Sequence, residues 1–442
     1  MPKQRKTKKT KENQRKTKKN KAGDGIVPTI TKRIKDSYIN YKESLELRTI
    51  CSDSNVCIAF GNENERINIF FGNFVDFNYV NSLQIIGNIS ANGLIYEIKY
   101  RRFFYNAYTV LKIPKNKKSD NLGYEYLVGK FINTKIKYYP CFLETYQLYF
   151  KKGNIDINNP KILKNNLTKI DENEIINYCI DNSNLALLIQ HIKSAISLYN
   201  FLDSNNNDLE NLANILYQIY FPLSMMASEF THNDLHQGNV LLYTPIKEKY
   251  IHYHYHYDIT DENKIVEFYS PYIVKIIDYG RCHFNESETN SSRYYFNKIH
   301  KLTNYERDFE NNYGFYGLID NKKYRRSIFI NNQTIDLKIL YYINMYKYKY
   351  KLTNNMNNFL QLINYKTNDD DFHSKNNSEQ NYPNSIDNVK DAELGLRNIL
   401  LNDEYYKELL KTQHEKYKSK IIGDLHIYAG NKEMVFIKNQ LE

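Results

Sequence analysis

The sequence predicts an α+β fold, with strand-length apolar runs and long helical patterns both present. Two observations carry this expectation. Apolar runs of strand length recur as far as Ile192, among them residues 108–113 and 185–192. From Asp208 to Glu229 the pattern changes: Leu209, Leu212, Ile215, Leu216, Ile219, Tyr220 and Leu223 recur at helical spacing. With 442 residues, 41% of them hydrophobic, the chain is long enough for two lobes with a sizeable core.

The elements follow in order. Residues 1–25 form a basic tail, with eleven Lys and Arg against the single acid Glu12 in the first 22 positions. It has almost no apolar residue and is expected to be disordered. The net charge is +11, and the tail carries nearly all of it, so the remainder is close to neutral. Such a tail suits nucleic acid or another acidic surface, or serves only as a solvated extension. Residues 26–85 contain strand-like runs at 56–60 and 67–71. Residues 108–113 read as a strand carrying Lys112, and Ser119 or Asp120 as the cap of a helix beginning near Asn121, with Glu125 in its second turn. Residues 185–192 read as a further strand, and 208–229 as a long helix that Pro222 could kink.

Beyond this helix come two informative strings. The first is Thr231-His232-Asn233-Asp234-Leu235-His236-Gln237-Gly238-Asn239-Val240-Leu241-Leu242. The second is Val274-Lys275-Ile276-Ile277-Asp278-Tyr279-Gly280. Residues 239–242 and 272–277 read as paired strands of a hairpin, and Gly280 as the residue that lets the chain turn after Asp278. Between them, 243–271 is an insertion in which Tyr250-Ile251-His252-Tyr253-His254-Tyr255-His256-Tyr257 alternates strictly. On a strand the three histidines share a face. We read this as a protruding hairpin with histidines on its wet side; a transition-metal site is the alternative. Residues 281–332 are long and polar, 366–390 read as a disordered loop, and 394–413 return to helical periodicity. The 42 tyrosines are assigned to core and half-exposed strand positions rather than to binding sites.

Chemistry focuses attention on the two strings. Phosphoryl transfer spreads charge over phosphate oxygens, so a protein must supply cations and align the reactants. Mg2+ prefers oxygen ligands, which Asp278 and Asn239 can provide. Asp234 can accept or orient a hydroxyl proton. Either aspartate alone would serve equally well as a turn cap or a strand end. Their joint spacing, each beside an apolar run, favours a site.

At this point the chain resembles the protein-kinase-like superfamily, through the pattern H-x-D-x-x-x-x-N and the later D-x-G. Its H-N-D-L-H-x-G-N looks like aminoglycoside and choline kinases, since the family's usual Arg and Lys are Asn233 and His236 here. Other stretches resemble the serine/threonine protein kinases of giant DNA viruses (mimivirus-like): Asn92-Gly93-Leu94-Ile95-Tyr96, Asp120-Asn121-Leu122-Gly123-Tyr124-Glu125-Tyr126-Leu127, Pro140-Cys141-Phe142-Leu143-Glu144-Thr145-Tyr146 and Thr334-Ile335-Asp336-Leu337.

The resemblance implies a bilobal protein-kinase-like fold. Residues 26–85 would extend a β-rich small lobe at 86–190, and 191–442 would form a mainly helical large lobe with insertions at 243–271 and 366–390. It implies ATP and Mg2+ or Mn2+ as cofactors and phosphorylation of protein Ser/Thr, with Asp234 as base and Asn239 and Asp278 on the metal. Lys112 would hold ATP phosphates, fixed by Glu125 or else by Glu144. Gly93 is the one match to the glycine-rich loop, whose earlier glycines fall on Asn88 and Ser90. Backbone groups at Gln190, His191 and Ile192 would meet adenine, and Asp336 would anchor the loop at His232. Asn233 replaces the Arg that reads activation-loop phosphate, so activity should not depend on that phosphorylation. A small-molecule kinase and a pseudokinase scaffold are the alternatives.

Five scattered cysteines without a C-x-x-C pair suggest a reducing compartment and no structural zinc. With the resemblance, this points to an intracellular site, host cytoplasm or virion, and not to secretion. No run approaches the length of a membrane span.

Overall fold

A six-stranded antiparallel sheet organises the first half of the chain. The computed structural model describes residues 62–86, 93–115, 119–204, 211–257, 265–303, 318–319, 324–325, 331–347, 350, 352–365 and 385–439. The expectations for the tail, for 56–60, for Asn88 and Ser90 and for 366–384 lie outside these residues. The end of the loop expected to be disordered over 366–390 is instead ordered: Ile386 bridges to Ile363, and a helix starts at Val389. The sheet comprises β1 (Val80–Ile85), β2 (Gly93–Arg102), β3 (Tyr105–Pro114), β4 (Thr145–Lys151), β5 (Leu167–Lys169) and β6 (Leu185–Gln190), in the order β1-β2-β3-β6-β4-β5. β6 is buried at every position, as its unbroken apolar run requires of an inner strand. The sheet takes in β1, so it starts before residue 86, where the small lobe was expected to begin.

Helix α1 (Asn62–Phe70) corrects the expected strand at 67–71. Ile67, Phe70, Phe71 and Phe74 are buried, a spacing of three and four, whereas Ile69 is exposed. This segment braces the sheet: Asn68 Nδ2 donates to both Glu144 oxygens (2.9 and 2.8 Å), and the Tyr100 and Tyr149 hydroxyls donate to the carbonyls of Phe74 and Val75. Helix α2 (Leu122–Asn133) packs on β4 and β6, with Tyr124, Val128, Phe131 and Ile132 buried.

Helix α3 (Leu212–Met225) is buried along nearly its whole length and shorter than the expected 208–229. Pro222 sits in its last turn, where losing one donor does not end it; Met226 N still reaches the Pro222 carbonyl at 3.0 Å. After β7 (Phe230–Thr231), β8 (Val240–Tyr243) pairs antiparallel with β11 (Ile273–Ile276), as the apolar runs predict.

Between them, β9 (Tyr250–His256) is not a protruding hairpin arm. It pairs antiparallel with β10 (Ile265–Ser270) and parallel with β13 (Ile421–Tyr428), itself paired with β14 (Val435–Lys438). Its tyrosines at 253 and 255 enter the core, so the histidine face is half-buried rather than wet.

The polar stretch after Gly280 forms β12 (His283–Ser287) and α4 (Ser292–Thr303). Further on come α5 (Lys338–Met345), α6 (Val389–Asn402) and α7 (Glu404–Tyr417). The helical periodicity expected at 394–413 is carried by two helices, broken at Asp403, whose side chain caps α7 through Tyr405 N at 2.8 Å. No helix among the described residues is long and apolar enough to cross a membrane. Cys141, Cys179 and Cys282 are buried, unpaired thiols.

Candidate active site

Strand β3 carries Lys112 to the N-terminal end of α2. Asn121 caps that helix, accepting from Tyr124 N at 2.9 Å, which corrects the expected cap at Ser119 or Asp120 and puts Glu125 in the first turn. Lys112 Nζ lies 2.6 Å from Glu125 Oε1 and 2.9 Å from Asp278 Oδ1. Glu144, bound by Asn68, is not its partner. Burial opposes charge on Lys112, but Asp278 and Glu125 together outweigh it and push its pKa up. Burial would likewise raise Asp278, yet Lys112 holds it down, to about 2. For the more deeply buried Glu125, burial wins and lifts its carboxyl to about 7.

Asp278 takes φ 72°, ψ 74°, a left-handed conformation that Asp tolerates better than most residues. The turn after β11 therefore comes from Asp278, not from Gly280 as expected. Gly280 provides close approach instead: a Cβ there would stand 3.3 Å from Asp120 Cβ. Tyr279 pins the segment. Its hydroxyl donates to the Ile276 carbonyl (3.0 Å) and accepts from Leu143 N (2.9 Å).

The loop before β8 hangs on Asp336, in the short turn Ile335–Leu337 that leads into α5. Asp336 Oδ2 accepts from His232 N at 2.7 Å, and Oδ1 from Asn233 N at 3.0 Å. His232 is fully buried, and burial lowers its pKa to about 4, so it is neutral. Its Nε2 faces the Ile277 carbonyl at 3.0 Å; a carbonyl only accepts, so Nε2 carries the proton. Asn239 Nδ2 donates to the Asp234 carbonyl at 3.0 Å, so Oδ1 is the oxygen it could offer to a cation. Asn239 Oδ1 and the Asp278 carboxylate are the hard oxygens that suit Mg2+.

Arg281 was missed from the sequence. Its Nη1 lies 3.2 Å from Asp234 Oδ2, and its Nη2 3.1 Å from Asp120 Oδ1. The signal was a cation directly after Asp278-Tyr279-Gly280. Nearby, His236 Nδ1 accepts from Gly238 N at 3.0 Å, so the ring caps its own turn.

Gly93, Lys112, Asp120, Glu125 and Asp278 line a cavity of about 160 Å³. Gly93 stands opposite Pro114, and a Cβ on it would fall 2.0 Å from the Ile113 carbonyl oxygen, so strand approach alone demands glycine. At the far end of β6, Gln190 N bonds the Glu144 carbonyl and His191 N the Tyr108 carbonyl. Those two donors are committed to the fold and not offered to a ligand. The His191 ring meets Glu97 at 2.8 Å, and Ile192 is buried. Lys112 pairs with Leu187, so Gln190 lies roughly 10 Å along the strand from the Lys112 cluster.

The structure thus joins Lys112, Glu125 and Asp278 in one cluster with Gly93, ties Asp234 to Asn239, and leaves residues 190–192 apart. In comparison with known proteins, no protein-family model and no curated protein matches this chain.

Proposed function

We propose that this protein is an ATP- and Mg2+-dependent kinase acting on protein Ser or Thr, with a bilobal kinase-like fold. In this reading the six-stranded sheet with α2 is the small lobe, and the chain after Gln190 forms the large lobe. The observation that carries the reading is Lys112 Nζ set between Glu125 and Asp278, brought together from a strand, a helix and a turn. A lysine fixed by a helix glutamate is what two negatively charged phosphates need, and an aspartate beside it can hold the accompanying cation.

Each group then has a task. Lys112 binds the phosphates, and Glu125 orients it. Asp278 and Asn239 hold Mg2+ or Mn2+, which would neutralise phosphate oxygens when bound. Asp234 receives the acceptor's hydroxyl proton. Its backbone is placed by Asn239 and by the Asp336 bonds to the preceding residues. The basic tail supports an acidic partner, nucleic acid or another acidic surface.

A second reading, a pseudokinase scaffold, has its own support. The Arg281 contact occupies Asp234, and a cavity of about 160 Å³ is below the usual range for small-molecule sites. A small-molecule kinase draws on Asn233 and His236. One experiment separates the three: ATP turnover and autophosphorylation for wild type, Asp234→Ala and Asp278→Asn, with protein, sugar, choline and aminoglycoside acceptors. Turnover lost in both variants supports catalysis at this site. Label appearing only on a small molecule moves the substrate, and no wild-type turnover with any acceptor leaves the scaffold.

A further inference from the structure

The His-Tyr strand carries chemistry that phosphoryl transfer does not use. Alternation along β9 sends Tyr253 and Tyr255 into the core and keeps His252, His254 and His256 on the opposite face. Register decides what stands beside them. His252 is opposite Asp424 on β13, while His254 is opposite His426 on β13 and Glu267 on β10. Three strands thus bring imidazoles and carboxylates together from distant parts of the sequence.

Their atoms converge. His252 Nδ1 is 2.9 Å from Asp424 Oδ1, and His254 Nε2 is 3.1 Å from the same oxygen. One ligand atom from each of the three residues lies within 4.8 Å of the others. Around tetrahedral Zn2+ with bonds of about 2.0–2.1 Å, ligand atoms stand roughly 3.3 Å apart. The two histidine–aspartate distances are within a few tenths of an ångström of that spacing, and the third pair of ligand atoms lies within 4.8 Å. The side chains of His252 and His254 are 15% and 12% exposed and that of Asp424 31%, so solvent reaches the cluster.

The far side of His254 supplies an independent argument. Its Nδ1 lies 2.8 Å from Glu267 Oε1. A carboxylate on the remote nitrogen of a ligating histidine fixes the tautomer and aims the other nitrogen at the ion.

The geometry points to a divalent transition-metal site formed by His252 Nδ1, His254 Nε2 and Asp424 Oδ1, with Glu267 positioning His254. Two imidazoles and one carboxylate suit Zn2+ and its first-row neighbours, whereas Mg2+ takes oxygen ligands. The fourth position is left for water or a further ligand. A bound ion would tie the insertion strand to β13. The site stands independently of the phosphotransfer reading.

The test uses the full chain, freed of metal by chelator dialysis and titrated with ZnCl2 by calorimetry in excess MgCl2. A parallel titration follows CoCl2 by visible absorption. One equivalent of Zn2+ is expected, with Co2+ bands of a four-coordinate nitrogen and oxygen site. His254→Gln and Asp424→Asn should each weaken binding by at least roughly tenfold, and Glu267→Gln by roughly 10- to 100-fold. His256→Gln should retain it. Circular dichroism checks each variant; if a ligand variant fails to fold, Glu267→Gln decides. No uptake by wild type, or uptake unchanged in His254→Gln and Glu267→Gln, would overturn the site and leave a hydrogen-bonded network.

Discussion

Arg281 holds the carboxylate of Asp234, Nη1 to Oδ2 at 3.2 Å, and grips Asp120 with its other edge at 3.1 Å. The guanidinium thereby fixes the candidate base against the N-terminal end of α2. Losing one preorganised electrostatic group from such a site costs about 10²–10³ in rate. We therefore expect Arg281→Ala to lower kcat about a hundredfold with a smaller change in KM for ATP. Arg281→Lys should recover only part, because a point charge cannot span two carboxylates. Steady-state kinetics decide it: a faster Arg281→Ala enzyme would make this contact a brake instead.

Asp336 accepts two backbone N–H groups from His232 and Asn233, all of them buried. Stranding a buried donor costs about 1–3 kcal/mol. Asp336→Ala strands both, and Asp336→Asn keeps one acceptor oxygen. Chemical denaturation should rank stability as wild type, then Asn, then Ala. Equal stability of the two variants would show that only one of the bonds matters.

These relationships differ in how far the sequence exposes them. The hairpin of β8 and β11 was legible because apolar runs, a polar loop and two acids sit within fifty residues. Lys112 and Glu125 followed from what the kinase resemblance implies, placed on a strand and a helix start close in sequence. Three things were not legible, each for a physical reason. The five-residue window at 67–71 is too short to separate a period of 2 from one of 3.6, and it straddles the end of a helix that runs only from Asn62 to Phe70. The parallel partner of the histidine strand, β13, lies about 170 residues on, beyond the reach of local pattern. Arg281 looks like any surface cation until folding brings Asp120 and Asp234 to it.

Glu393 gives a test of stability against pH. It lies on α6 with its carboxylate 3.4 Å from the Tyr217 hydroxyl and 3.6 Å from Arg397 Nε, and burial raises its pKa from 4.5 to about 7. Between those values the folded chain binds more protons than the unfolded one. Its contribution is therefore fully present below about pH 4.5 and is lost as pH rises through about 7. Glu393→Gln cannot ionise, so the difference in unfolding free energy, variant minus wild type, should increase from pH 5 to pH 8. Parallel pH profiles for the two proteins would refute this.

Glu125 and Asp278 share the one ammonium of Lys112, and the more buried partner takes the proton first. Glu125 has its pKa lifted to about 7 by burial, whereas Lys112 keeps Asp278 ionised down to about pH 2. Below pH 7, then, Asp278 supplies most of the negative charge facing Lys112, and in the proposed reading the phosphate-binding cation neutralises the metal-binding carboxylate. As pH rises through 7, ionised Glu125 competes for Lys112 and frees Asp278. The same ionisation works against stability, because a raised carboxyl pKa means that protons are lost on unfolding between pH 4.5 and 7. Activity and stability should therefore move in opposite directions over this window. We expect kcat/KM for ATP to climb through an inflection near pH 7 in wild type. In Glu125→Gln the inflection should vanish and the rate stay at its acid-side level. An inflection unmoved in that variant would assign the ionisation to another group and remove Glu125 from the role of orienting Lys112.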